Sequence, residues 1–66
     1  MQIKVNGEFR EIEEGATLYA LISALKLEER VMAAALNMQI VKQEKWKEAR
    51  LQEGDVIELL DFVGGG

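Results

Sequence analysis

The chain has 66 residues, a formal charge of −4, and neither cysteine nor histidine. One small domain of this size buries only about 60% of its unfolded surface. Without Cys and His it has no disulfide, no thiolate or imidazole for a transition metal, and no familiar nucleophile–base pair. The acidic balance also argues against nucleic acid and against an anionic membrane surface.

Met1-Gln2-Ile3-Lys4-Val5 alternates apolar and polar residues, which predicts a half-buried strand with Met1, Ile3 and Val5 inward. Asn6-Gly7 predicts a two-residue hairpin turn, because both residues tolerate positive φ. A second strand is expected from Phe9 to Glu13. Ile12 is its core residue, and the remaining positions suit a solvated edge. Glu13 to Thr17 leads into a helix, with Thr17 as N-cap. Leu18, Leu21, Ile22 and Leu25 follow at i, i+3, i+4 and i+7 and form its apolar face. The helix should stop near Lys26.

Val31–Leu36 is apolar throughout and reads as a central strand. Its period puts Met32, Ala34 and Leu36 inward and Val31, Ala33 and Ala35 outward. Asn37 opens a turn into a short strand, Gln39 to Val41. Gln43 to Arg50 reads as a loop with a helical turn, anchored by Trp46. Leu51 returns to the core, and Glu53-Gly54-Asp55 turns into a last strand, Asp55 to Val63. Ile57 and Leu59 share its inner face, while Glu58, Leu60 and Phe62 share the other. No apolar run reaches the length of a membrane-spanning helix or a signal-peptide core, so a cytoplasmic location is the default expectation.

The last strand runs directly into Gly64-Gly65-Gly66, half of the six glycines in the chain. Three in succession at a chosen place is about a 0.03% coincidence at average glycine usage. The thread has no side chain to bury and ends in an unhindered carboxylate. The bland alternative is a frayed terminus. Hairpin, helix, two strands, connector and strand predict an α+β domain. Placing the last strand beside the first, parallel to it, gives a mixed four- to five-stranded sheet over one amphipathic helix. That is the ubiquitin-like β-grasp arrangement, with residues 1–63 as the domain and residues 64–66 as a flexible tail.

Several stretches together resemble one family along the whole chain. They are Met1-Gln2-Ile3-x-Val5-Asn6-Gly7, Gly15-Ala16-Thr17-Leu18, Leu36-Asn37, Glu53-Gly54-Asp55-x-Ile57-Glu58 and Phe62-Val63-Gly64-Gly65-Gly66. The chain resembles the ThiS family, the small sulfur carriers of bacterial thiamine biosynthesis. Two features depart from the family's pattern: Met38 stands where glycine is common, and Ala33-Ala34-Ala35 is unusually rich in alanine.

The resemblance implies a carrier and not an enzyme. The Gly66 carboxylate would be adenylated by a partner adenylyltransferase of the ubiquitin-activating type. It would then become a thiocarboxylate with sulfur from a cysteine desulfurase, and would donate that sulfur to thiazole synthase. The chain itself would bind no cofactor and no metal; ATP and magnesium would sit in the partner's site. Gly65 and Gly64 would let the thread enter a narrow channel.

The absence of cysteine agrees with carriage on a carboxylate, since a persulfide cannot form. Leu60 and Phe62 are the candidate grip for partners, because a helix can cover only one face of the sheet, and Val63 and Gly64 are counted with them as the start of the tail. The alternative for Leu60 and Phe62 is packing under a loop. The wider alternatives are a sulfur carrier for molybdopterin or another pathway, a ubiquitin-like modifier, and a β-grasp interaction module whose tail is never activated.

Overall fold

The computed structural model describes residues 1–61. The elements are β1 (Gln2–Val5), β2 (Glu8–Glu11), α1 (Leu18–Ala24), β3 (Val31–Leu36), β4 (Gln39–Val41) and β5 (Val56–Asp61), with a short 3₁₀ turn at Gln43–Lys45. The strands form one five-stranded sheet in the order β2-β1-β5-β3-β4. β5 pairs parallel to β1 and antiparallel to β3. The centre of the sheet is therefore β5, and β3 beside it is interior, paired on its two sides with β5 and β4 as its unbroken apolar run predicts. α1 covers one face, and the arrangement is the expected β-grasp.

Asn6 (φ 49°) and Gly7 (φ 86°) both adopt the left-handed region and close the β1–β2 hairpin in two residues. β2 starts and ends earlier than its pattern suggested, and all four of its residues are exposed. Ile12 follows the strand and packs partly buried against the core. It is tied there by its N–H to the Met1 carbonyl (2.9 Å) and its carbonyl to the terminal ammonium (2.7 Å).

At α1 the Thr17 hydroxyl accepts from the Ala20 N–H at 3.1 Å, as an N-cap should. Leu18, Leu21 and Ile22 are buried. Seven residues are too few for a helix that stands by itself. The rest of its support comes from the connector, where the Ala49 and Trp46 carbonyls accept from the Leu18 (2.8 Å) and Tyr19 (3.1 Å) N–H groups. Trp46 is buried and its Nε1–H donates to the Val41 carbonyl at 3.0 Å. It is a structural anchor.

β3 corrects one assignment of faces. Ala34 and Leu36 point inward and Ala33 and Ala35 outward as expected, but Val31 is buried and Met32 is 66% exposed. The register with β5 slips between Val31 and Ala33. Such a bulge adds one residue to the strand, and each residue before it changes face.

The β3–β4 turn holds Asn37 at φ 50° and Met38 at φ 72°, and the Met38 side chain is 93% exposed. A side chain in the left-handed region costs about 1–2 kcal/mol, partly offset by the greater unfolded-state entropy of glycine. Met38→Gly is thus expected to stabilise the fold by about 0.5 kcal/mol and to raise Tm by roughly 3 °C in a thermal melt. An unchanged or lower Tm would contradict this account.

Candidate functional site

Among the proposed site residues, Leu60 is placed by the structure. Phe62, Val63, Gly64, Gly65 and Gly66 lie outside the described residues, so the expected grip at Phe62 and the expected end of the domain at Val63 lie there too. What the structure defines is the strand that leads to them. Ile57 is fully buried and Leu59 is nearly so, while Leu60 is 60% exposed on the face opposite the helix. The period-two reading of β5 is correct at each of these positions.

Two asparagines hold β5 from its two sides. Asn6 sits just past the end of β1. Its N–H donates to the Ile57 carbonyl at 2.9 Å, and its side-chain Oδ1 accepts from the Leu59 N–H at 2.8 Å. It prolongs the parallel pairing by a turn residue. On the other side, the Asn37 N–H donates to the Val56 carbonyl (2.7 Å) and its Oδ1 accepts from the Val56 N–H (2.9 Å). Its Nδ2 donates to Asp55 Oδ1 at 3.0 Å. Sequence reasoning read both residues as turn formers and missed this second role. Nothing local signals it, because the partners lie 18 to 53 residues away.

The open face of the sheet gathers apolar side chains around Leu60. Ile40 is 71% exposed and Val56 40%. Ala33 pairs with Leu60, and Ala35 stands between Glu58 and Ile40 in register. Ala33, Ala35, Ile40, Glu58 and Leu60 line one shallow depression, with Asn6 and Gly7 at its rim. Ile40 was not singled out from sequence. Its face follows from a two-residue turn opposite Leu36, once that turn is known to be tight.

Phe9 lies further along the same face, with Lys4 Nζ 5.3 Å from its ring centroid. At the helix exit the Glu28 carboxyl is held below its ordinary range, first by its own backbone N–H and then by the Ser23 hydroxyl at 2.9 Å. Among the described residues no polar or charged side chain is buried, and no three acidic residues gather where a metal ion could be held. No helix among them is long and apolar enough to cross a membrane.

Comparison with known proteins agrees with this geometry. The model of the ThiS family matches residues 3–66. The sulfur carrier protein ThiS of Escherichia coli (strain K12) is 35% identical over 66 residues, covering the whole of both chains. A thiazole synthase of Paramagnetospirillum magneticum is 32% identical over the whole of this chain, which spans 20% of that protein's length. The crystal structure of a thiamine biosynthesis protein (ThiS) from Geobacter metallireducens has a TM-score of 0.81 and 31% identity, with full coverage of both chains. By family model, by a relative of equal extent and by fold, the chain belongs to the ThiS family.

Proposed function

We propose that the chain is a sulfur carrier for thiazole formation in thiamine biosynthesis, and that the sulfur rides on the terminal carbonyl carbon of Gly66. The observation that carries this reading is full-length membership of the ThiS family by a chain that ends in Gly64-Gly65-Gly66 and has no cysteine. A carboxylate is a poor acyl donor until one of its oxygens becomes part of a leaving group. Attack of the Gly66 carboxylate on the α-phosphorus of ATP expels pyrophosphate and gives an acyl adenylate. A persulfide sulfur then displaces AMP to give an acyl disulfide, and a thiol reductant cleaves its S–S bond and leaves the thiocarboxylate.

The chain supplies the electrophile. A partner adenylyltransferase of the ubiquitin-activating type supplies alignment, ATP and magnesium. Sulfur comes from a cysteine desulfurase and passes to thiazole synthase. The last partner is supported by the thiazole synthase that contains a stretch similar to this chain.

The test is the intact mass after incubation with ATP, magnesium, such an adenylyltransferase, a cysteine desulfurase, cysteine and a thiol reductant such as dithiothreitol. Exchange of one terminal oxygen for sulfur adds about 16 Da. A mass unchanged with every such enzyme rejects the carrier reading, and amide-linked conjugates to lysines of other proteins point to a modifier. Leu60 is assigned here to the partner-binding surface, with Phe62, Val63 and Gly64 continuing it toward the tail. Leu60→Asp is therefore expected to raise the KM for the carrier about tenfold or more, as loss of an apolar anchor does, with Tm nearly unchanged. A variant that unfolds would make Leu60 a core residue instead.

A further inference from the structure

The depression beside Leu60 is an unusual combination of surfaces. Its floor is Ala33 and Ala35, its walls are Ile40 and Leu60, and one carboxylate, Glu58, stands within it. The alanines make the concavity: larger side chains at those two positions would fill the space between the walls. Glu58 pairs in register with Ala35, on the outward face of β5, and is exposed. Lys4, on the same face, places its ammonium over the Phe9 ring. Among the described residues no ion pair is made to Glu58, and the pair Lys45–Glu48 lies in the connector.

A small apolar trough with one unneutralised carboxylate fits one kind of side chain. It needs a long aliphatic stem to cover the alanines and a cationic head to meet the acid. Arginine has both, pairs with carboxylates through two parallel bonds, and is enriched among residues that dominate interfaces. The chain's formal charge of −4 favours a basic partner surface in the same sense. The trough also lies on β5 itself, the strand that leads to the tail, so a partner seated there is directed along that strand. We propose that this trough is the receptor for an arginine of the adenylating partner, and that Glu58 with Ala35 determines which partner docks. The inference rests on the carrier reading above and names the chemistry of its docking contact.

The experiment measures carrier-dependent pyrophosphate release by an adenylyltransferase of the ubiquitin-activating type that charges the wild-type chain. Glu58→Gln is expected to raise the KM for the carrier about tenfold with kcat unchanged, since one charge-assisted contact is lost from docking and none from the chemistry. The wild-type KM should rise with salt, and more steeply than that of Glu58→Gln. Ala35→Phe, which fills the trough, should raise KM at least as much. Glu44→Gln, in the connector, should leave it unchanged.

Thermal melts of Glu58→Gln and Ala35→Phe separate lost docking from lost folding. If the wild type is charged and Glu58→Gln keeps its KM and its salt dependence, the arginine receptor is overturned while the carrier reading stands. If no adenylyltransferase charges the wild type, both fall together.

Discussion

Deletion of Gly65 and Gly66 is expected to abolish thiocarboxylate formation completely while moving Tm by no more than about 1 °C. The two effects separate because the described core lies within residues 1–61 and a glycine has no side chain to pack. The core is built from β1, α1, β3, β5 and the connector, and the last described backbone pairing is Asp61 with Val31. Loss of terminal glycines removes no packed side chain, and termini tolerate such truncation when they carry no buried contact.

The chemistry, by contrast, depends on reach. Two extended residues span about 7 Å, so the shortened chain would present its carboxylate that far from the α-phosphorus. In-line attack needs reacting atoms about 3–3.5 Å apart, and nothing else in the chain brings them together. Intact mass after the charging reaction reads the first effect and a thermal melt the second. Any sulfur adduct on the truncated chain would show that the terminal carbonyl of Gly66 is not the carrier atom.

Trp46→Ala is expected to destabilise the protein by about 3–5 kcal/mol, enough to leave it largely unfolded at 25 °C. Trp46 is 1% exposed and is among the largest fully buried side chains. Its removal leaves a cavity and orphans the Val41 carbonyl, which accepts from Nε1 at 3.0 Å. It also frees the connector whose Trp46 and Ala49 carbonyls satisfy the first N–H groups of α1. A chain of 66 residues has little stability in reserve. Far-UV circular dichroism and a urea titration measure the loss. Trp46→Phe, which fills most of the space but cannot donate, should fall between the two. A decrease under about 1 kcal/mol for the alanine variant would mean that the connector is held by something else.

Much of this molecule is legible along the chain. The first helix turn, the β1–β2 hairpin and the inner face of β5 each follow from a local rule. Thr17 precedes an i, i+3, i+4 pattern, Asn6-Gly7 allows two positive φ values, and Ile57 and Leu59 alternate with Glu58 and Leu60. The misassigned residues, Val31 and Met32, lie where the local rule is interrupted. A bulge shifts the faces of a strand without changing its composition, so six apolar residues in succession give no sign of it. Ile40 was overlooked for a related reason: its face depends on the turn at Met38, a residue ill suited to the positive φ that it adopts.

The sequence by itself determined the fold class and the strand that leads to the tail, and its resemblance to the ThiS family pointed to the terminal carboxylate as the proposed carrier atom. Periodicity, turn chemistry and the absence of thiols are properties of neighbours along the chain, and they require no long-range partner. Tertiary structure alone decided how β5 is held and what stands beside Leu60. The grip of Asn6 and Asn37, the connector carbonyls at the helix start, and the alanine-floored trough around Glu58 are made by residues far apart in sequence. Hydrogen bonds and packing across such separations depend on the register of the whole sheet, which no local pattern contains.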